Sequence, residues 1–521
     1  MANGTNKPTV AAPEASPPRA TLAPCASPEP VVAAVDLGST SFHLIIARIM
    51  NGQLHVVDRL RDMVLLATGL DHKNRLSDEA QKRAVECLAR FGQRLRGMSA
   101  SNVRAVGTNT LRRATNADAF LSIAQHTLGF PIEVVAGREE ARLIYLGVAH
   151  SVAPHAGRRL VMDIGGGSTE LIIGEGFAPL SMESLHMGCV SMSRTYFPDG
   201  VIRARDMRLA EIAARLELQP IERQYQKLGW QSAVGASGTI RTADKILRAN
   251  GWSDNGITQQ ALHKLRDAML AAGHVQRLKW DDVSGDRVSV LPGGVAILLA
   301  IMEALSIERI EVAEGALREG TLYDLLGRIQ HEDARETSIQ ALMARYQVDV
   351  AQAARVEKTA LMCLAQVAQD WKLVDEEHAN LLRWAARLHE LGLAIAHNQY
   401  HKHGSYIVEN SDLPGFSRQE QTRLAGLIRG HRRKFPLDVF AQLPSTQIDQ
   451  EWRLCVLLRL AVLLHRNRTD SDLPKFTLAA GKKSLRIQFP QDWLAQHPLT
   501  ETELGHEANY LATANIKLEF V

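Results

Sequence analysis

Hydrophobic and polar positions follow two repeating patterns along the first 325 or so residues of the chain. Short apolar runs such as VVAAVDL (31–37) and FHLIIARI (42–49) are typical of buried strands. Between such runs, LSDEAQKRAVECLARFGQRLRG (76–97) has the period of an amphipathic helix, with Ser77 as a predicted N-cap. The alternation restarts at RRLVMDI (158–164). The pattern therefore predicts α/β organisation in two consecutive halves.

The pattern changes after Gly327. From 331 to about 468 nearly every segment has helical periodicity, which predicts an all-helical domain, and the apolar run at 293–305 just before it predicts a buried helix. The last 50 residues return to short strands around one helix near 500–511. The predicted parts are a disordered tail (1–30), two α/β domains (31–143 and 144–327), a helical domain (328–470) and a small α+β domain (471–521).

Composition narrows the possible partners and compartments. Lys and Arg number 60 against 57 Asp and Glu, a net charge of +3, so no nucleic-acid partner is expected from the overall charge. Five cysteines without a CxxC pair argue against a disulfide framework and for a reducing, cytoplasmic location. The chain contains no apolar run of the ~18 residues that a membrane span needs, and the tail lacks the features of a signal peptide.

One kind of turn occurs twice. Asp36, Gly38, Ser39 and Thr40 lie between two apolar runs, and the stretch DIGGGST (163–169) repeats this arrangement. Glycine-rich turns expose backbone N–H groups to phosphate oxygens, hydroxyls add donors, and an aspartate can hold a divalent cation. Each turn leads into a strand and lacks the GxxxxGK[ST] pattern, which excludes a P-loop. Two copies predict a duplicated domain whose loops clasp a phosphate chain and its metal from opposite sides of a cleft.

Several ordered motifs carry a family resemblance. They are VDLGSTSFHLIIAR, VGTNTLRRA, GREEARLIYLGV, DIGGGSTELIIG, MGCVS, GASGTIR and EGALREG. Over about residues 31–521 the chain resembles the long, four-domain exopolyphosphatases of the exopolyphosphatase/guanosine pentaphosphate phosphatase (Ppx/GppA) family. The resemblance implies two duplicated actin-like (ribonuclease H-like) α/β domains. An all-helical HD-like domain and a small α+β C-terminal domain would follow them.

The resemblance also implies roles for individual residues. From the residues alone, Glu140 is either a first-turn glutamate complementing a helix dipole or a carboxylate turned toward the apolar side of its helix, which needs a functional reason. The resemblance implies that Glu140 is the catalytic base and that Arg112 lies near the active site, where it can contact two phosphate oxygens. The implied ligands of Mg²⁺, with a monovalent cation such as K⁺ as a further activator, are Asp36, Asp163 and Glu170. The candidate phosphate-binding donors are Ser39, Thr40, Gly166, Gly167 and Ser168.

The helical region adds histidines and basic clusters. The segment RLHELGLAIAHNQYHKHGSYIVEN resembles an HD-type phosphohydrolase, but His389 is followed by Glu390 where that type has Asp. Its histidines are therefore open to a structural or substrate-contacting role and to a metal-binding role. The predicted binding track for a long polyanion, with solvated helix faces as the alternative, comprises Arg432, Arg433, Arg466 and Arg468.

Four functions remain open on these residues. The leading prediction is an Mg²⁺-dependent, processive exopolyphosphatase that releases orthophosphate from inorganic polyphosphate, and the nearest alternative is hydrolysis of guanosine pentaphosphate at the same site. A kinase of the same superfamily is less favoured because the EEARLI glutamate occupies the position of the base. A non-catalytic sensor is disfavoured because it would not need Glu140. The resemblance also implies a homodimer.

Overall fold

The computed structural model describes Met1 and residues 30–50, 53–153, 157–280, 283–329, 333–441, 445–469 and 473–521. The predicted disordered tail, residues 1–30, therefore lies outside the described residues except at its two ends. Four short 3-10 helices connect larger elements, at Leu66–Gly69, Ala100–Asn102, Val275–Arg277 and Leu391–Ala394.

The first unit is a five-stranded mixed sheet with helices. Its strands are β1 (Val31–Leu37), β2 (Phe42–Met50), β3 (Gln53–Asp62), β4 (Val103–Gly107) and β5 (Ile132–Val134). Its helices are α1 (Asp78–Leu95), α2 (Asn109–Arg113), α3 (Ala117–Leu128) and α4 (Gly137–Ser151). The strand order is β3-β2-β1-β4-β5, with β1 to β3 antiparallel and β4 and β5 parallel to β1. Ser77 caps α1 by accepting from the Ala80 N–H at 3.3 Å, as the sequence predicts.

The second unit repeats this topology. Its strands are β6 (Arg158–Ile164), β7 (Thr169–Glu175), β8 (Ala178–Leu185), β9 (Ser232–Gly235), β10 (Ile257–Thr258) and β11 (Arg309–Val312). Its helices are α5 (Cys189–Tyr196), α6 (Ala204–Leu228), α7 (Gly238–Ala249), α8 (Gln259–Ala272), α9 (Gly285–Ala304) and α10 (Leu317–Ile329). The sheet runs β8-β7-β6-β9-β11-β10, so its first five positions match the first sheet one for one. The predicted duplication is confirmed.

Helix α9 fills the core of the second unit. It is the one helix in the described part of the chain that is long and apolar enough to cross a membrane, and 78% of its most apolar window is buried inside the protein. Residues 291–302 are buried without interruption, because α5, α6, α7 and α8 all pack around it. The burial predicted for 293–305 is confirmed.

Two helices join the α/β units to each other. Helix α4 packs against β7, β8 and α10, while α10 packs against β1 and β4 of the first sheet. Their crossing requires small residues, since a methyl group on Gly147 would lie 2.7 Å from the Gly320 nitrogen. The predicted boundary between residues 143 and 144 falls inside the continuous helix α4, which therefore belongs to both units.

The C-terminal third is a helical bundle with a small sheet. The helices are α11 (Ala334–Arg345), α12 (Val350–Trp371), α13 (Glu376–Leu388), α14 (Tyr400–Asn410), α15 (Arg418–Gly430), α16 (Leu437–Phe440) and α17 (Ser445–Leu464). The remaining elements are β12 (Thr477–Gly481), β13 (Ser484–Gln488), α18 (Trp493–Gln496), α19 (Pro498–Ala512) and β14 (Lys517–Phe520). One continuous hydrophobic core joins the bundle and the sheet, and Trp371 Nε1 donates to the Gly481 carbonyl at 2.9 Å. The predicted domain at 471–521 therefore shares its core with the helical domain.

Candidate active site

The two repeated turns occupy equivalent places in the two sheets. The first connects β1 to β2, and the second connects β6 to β7, where backbone N–H of Gly165 donates to the Ser168 carbonyl at 2.9 Å. In the ladders beside them, Asp36 is paired with His43, and Asp163 is paired with Glu170. The second hairpin thus carries two carboxylates where the first carries one carboxylate and an imidazole.

The two turns face each other at close range. A methyl group on Gly166 would lie 2.9 Å from Thr40 Oγ1 and 3.0 Å from Ser39 Cβ, so only glycine allows the second turn to approach the first this closely. Ser39 Oγ accepts from Thr110 Oγ1 at 2.8 Å, which holds the first turn. The predicted arrangement of facing loops agrees with this geometry.

Three carboxylates gather at these turns. Burial, followed by the negative charge of Glu140, raises the pKa of Asp36 to about 8 and that of Asp163 to about 7. The same two causes, with Asp163 as a further charge, raise the pKa of Glu170 well above its usual range. Glu170 is 1% exposed, and its Oε1 accepts from Ser184 Oγ at 2.8 Å.

These three carboxylates are the residues of the cleft whose chemistry could serve a divalent cation. Asp36 Oδ1 is buried and has no hydrogen-bond partner among the described residues. A divalent cation would relieve the repulsion that raises all three pKa values. Among the described residues, no group of three or more His, Cys, Asp or Glu side chains is placed so that it could hold a metal ion by itself. Mg²⁺ typically binds through one or two carboxylates together with water and substrate phosphates.

Glu140 lies in the first turn of α4 and is turned inward. Its side chain is 10% exposed, and its Oε2 accepts from Arg112 Nη1 at 2.6 Å. The same Arg112 nitrogen donates to the Val135 carbonyl at 2.9 Å, which fixes the guanidinium at the edge of the first sheet. Since the charge of Glu140 acts on Asp36, Asp163 and Glu170, the structure brings all four carboxylates and Arg112 into one cleft.

A group of arginines around His43 was not identified from the sequence as site residues. Burial and the nearby guanidinium groups of Arg318, Arg61, Arg241 and Arg287 lower the pKa of His43 to about 3. Arg318 Nη1 lies 2.9 Å from His43 Nδ1, and Ser41 Oγ lies 2.8 Å from His43 Nε2. Burial and mutual repulsion also lower the pKa of Arg61 and of Arg241. Such concentrated positive charge is a site for anions. We refer to Arg61, Arg241, Arg287 and Arg318 as the arginine group.

Two of these arginines lie in motifs that the sequence does mark. Arg241 ends GASGTIR, and Arg318 belongs to EGALREG. Arg61 comes from β3 and Arg287 from α9, two segments whose sequence carries no signal for a binding role. Only the fold brings the four together.

Three histidines of the helical domain form a buried cluster. His389 Nδ1 lies 2.7 Å from the Ala386 carbonyl and His431 Nδ1 lies 2.7 Å from the Ile428 carbonyl, and their ring centres are 5.5 Å apart. His401 lies 6.2 Å from His431 by the same measure. Burial lowers the pKa of His389 to about 4, so its imidazole is neutral near pH 7. Within the described residues these histidines do not form a metal-holding group, and His397 is exposed.

The four residues of the predicted track fall into two environments. Arg432 and Arg433 line a cavity of about 1080 Å³, where Arg432 lies 4.4 Å from the centre of the Tyr400 ring. Arg466 forms an ion pair with Glu503, and Arg468 forms ion pairs with Glu390 and with Asp349, the latter at 3.2 Å. The charges of Arg466 and Arg468 are thus already balanced, and these two side chains do not line the cavity.

Comparisons with known proteins agree with this geometry. Residues 45–329 match the Ppx/GppA phosphatase family, and residues 334–508 match domain III of Ppx/GppA phosphatases. Proteins named guanosine-5'-triphosphate,3'-diphosphate pyrophosphatase are similar over 92% of this chain and 96% of their own length. The example from Aeromonas hydrophila is 40% identical, and the one from Vibrio cholerae serotype O1 is 41% identical.

A solved structure supports the fold of the α/β units. The crystal structure of an exopolyphosphatase from Cytophaga hutchinsonii is 25% identical, with a TM-score of 0.52. It covers 57% of this chain and 98% of its own. The duplicated actin-like fold predicted from the sequence is confirmed. The chain belongs to the Ppx/GppA phosphatase family of phosphoanhydride hydrolases.

Proposed function

We propose that this protein hydrolyses guanosine pentaphosphate to the tetraphosphate and orthophosphate. One observation carries the choice of substrate: 40–41% identity over 92% of the chain to proteins named for a guanosine 5'-triphosphate 3'-diphosphate. The cleft supports this choice because it has two regions suited to anions, the facing turns and the arginine group. A nucleotide with phosphates at two positions could occupy both.

Glu140 is the proposed general base. A water attacks the terminal phosphorus of the 5'-triphosphate, Glu140 accepts a proton from that water, and the bond from phosphorus to the bridging oxygen breaks. The guanosine tetraphosphate leaves with the bridging oxygen and its electron pair. Arg112, 2.6 Å from Glu140 Oε2, orients the carboxylate and can donate to a phosphate oxygen.

The turns would hold the terminal phosphates. Backbone N–H groups of Gly166 and Gly167 and the hydroxyls of Ser39, Thr40 and Ser168 are the proposed donors. Asp36, Asp163 and Glu170 are the proposed Mg²⁺ ligands, and the cation when bound would neutralise charge on the phosphate oxygens. The arginine group would bind the phosphates that are not cleaved.

The second candidate is hydrolysis of inorganic polyphosphate. It is favoured by the similarity to a solved exopolyphosphatase and by the basic cavity lined by Arg432 and Arg433.

We further propose that the protein acts as a cytoplasmic homodimer. The free, buried thiols of its four described cysteines suit a reducing compartment.

Product analysis separates the two functions. The purified chain is incubated with Mg²⁺ and either guanosine pentaphosphate or long-chain polyphosphate, and products are resolved by anion-exchange chromatography. We expect tetraphosphate and orthophosphate in equal amounts, with a higher kcat/KM for the nucleotide. A higher kcat/KM for polyphosphate would favour the second candidate, and turnover of neither would refute both. Glu140→Gln, prepared identically, controls for contaminating phosphatases.

A further inference from the structure

The glutamate beside the proposed base is more deeply buried than the base itself. Glu139 is 3% exposed, although it lies in the first turn of a helix that borders the cleft. Its two oxygens accept from Arg142, at 2.7 Å from Nε and 2.8 Å from Nη2. Its Oε2 also accepts from the backbone N–H of Gly415 at 2.9 Å. Gly415 lies in the helical domain, in the loop between α14 and α15.

Gly415 is held at its carbonyl as well as at its N–H. Its carbonyl accepts from Arg328 Nη2 at 2.8 Å, at the end of α10. Gly415 has φ +89°, and a methyl group there would lie 2.8 Å from the Arg335 nitrogen, so the loop needs glycine at this point. One residue of the helical domain is therefore hydrogen-bonded to both α4, through its N–H, and α10, through its carbonyl.

A buried charge network joins these contacts. Asp324 of α10 pairs with Arg104 of β4, with Arg142 of α4 and with Arg328, whose Nε lies 3.0 Å from Asp324 Oδ2. Although burial alone would raise the pKa of Asp324, these three guanidinium groups lower it below its usual range. Removing one member of such a group leaves a buried charge unpaired, which is costly. The network is therefore expected to keep a single arrangement while the helical domain is docked.

The consequence for the cleft follows from helix geometry. Glu139 and Glu140 are consecutive residues of one turn, so the hydrogen bonds of Glu139 fix the position and rotation of the backbone that carries Glu140. In this chain, the turn that carries Glu140 is therefore anchored to the helical domain through Gly415.

We propose that Glu139 is a positioning residue through which the docked helical domain sets the geometry of Glu140. The inference rests on Glu140 being the base of the proposed function. It predicts that weakening the Glu139–Gly415–Arg328 contact slows the chemical step without weakening substrate binding. Misplacing a catalytic group by about 1 Å can cost about 10²-fold in rate.

The test uses Glu139→Gln and Arg328→Gln in the full-length protein. Glu139→Gln keeps the shape of the side chain but loses its charge, and we expect kcat to fall about 10- to 100-fold with KM within about twofold. Arg328→Gln removes the donor to the Gly415 carbonyl, and we expect it to lower kcat as well. Because both act through one contact, the double variant should lose less than the product of the two single losses.

Arg387→Gln is the matched control. Arg387 is a partly buried arginine that pairs with Glu357 at 2.7 Å and with Glu336, all within the helical domain. The Arg387→Gln substitution should lower Tm but leave kcat unchanged when assays are run well below Tm. A wild-type kcat in Glu139→Gln would overturn the proposal and make the network purely structural. If Glu139→Gln does not fold, a wild-type kcat in Arg328→Gln would overturn it in the same way. Full activity of Glu140→Gln would instead refute the proposed base, a distinguishable result.

Discussion

Asp36 offers a direct test of the electrostatics of the cleft. Its carboxyl has an ordinary pKa of 3.8 in the unfolded chain and a pKa of about 8 in the folded protein. The folded state therefore binds this proton more tightly, and the stabilisation is fully present below pH 3.8 and is lost as the pH rises to about 8. Asp36→Asn mimics the protonated carboxyl at every pH, so the variant should escape this loss.

The size of the effect follows from the same shift. Each pH unit between the two pKa values contributes about 1.4 kcal/mol to the free energy of unfolding. Between pH 6 and pH 8, the free energy of unfolding of the wild type should fall by about 2 kcal/mol relative to that of Asp36→Asn. This is less than the full effect of two pH units, because at pH 8 the Asp36 carboxyl is only about half ionised. Asp163 titrates in both proteins and largely cancels from the difference.

Thermal unfolding in EDTA at pH 6, 7 and 8 measures this difference. We expect the Tm of Asp36→Asn minus the Tm of wild type to increase by about 2 °C across the series, because a chain of this length has a large unfolding entropy. Saturating Mg²⁺ should shrink or reverse the difference, because the wild type then binds the cation and gains stability. Asp254→Asn, at an exposed position, controls for the loss of one carboxylate. Parallel Tm profiles for wild type and Asp36→Asn would refute the reasoning.

Three further outcomes are expected. Glu140→Gln should lose at least about 10²-fold in kcat while binding a non-hydrolysed substrate analogue normally, and near-wild-type turnover would remove it as the base. Arg287→Gln should raise KM for guanosine pentaphosphate more than it lowers kcat, because the arginine group contacts phosphates away from the reacting bond; an unchanged KM would exclude that role. Replacing both Arg432 and Arg433 by Gln should weaken binding of long polyphosphate and its salt dependence, with guanosine pentaphosphate turnover nearly unchanged. Equal losses on the two substrates would make this pair structural.

The sequence predicts the duplicated fold because each sheet begins with the same local signal. An aspartate at the end of an apolar run, a short glycine and hydroxyl turn and a second apolar run suffice to place β1 with β2 and β6 with β7. The register of the second hairpin then places Glu170 directly opposite Asp163. The inward side chain of Glu140 could be proposed, but only its pairing with Arg112 explains how that carboxylate is held.

What the sequence does not predict comes from distant segments. Glu139 and Gly415 are separated by 276 positions, and no spacing rule relates them. Arg61 and Arg287 meet beside His43 because a β3 strand edge and the start of α9 converge on the same cleft. The hydrophobic pattern predicts a boundary between the α/β units, but it cannot show that α4 and α10 each pack on the other unit's sheet.

One difference between the two matching ladders makes the two hairpins of the cleft chemically unequal. Where the second hairpin pairs Asp163 with Glu170, the first pairs Asp36 with His43, which is neutral and lies among arginines. An internal duplication would by itself create a site with equivalent halves, able to hold a chain of phosphates either way round. Exchanging one carboxylate for an imidazole removes one negative charge from the first hairpin and places a neutral ring beside the arginine group. For a phosphate chain bound as proposed, the two hairpins would therefore be unequal, and one orientation of the chain relative to Glu140 would be favoured.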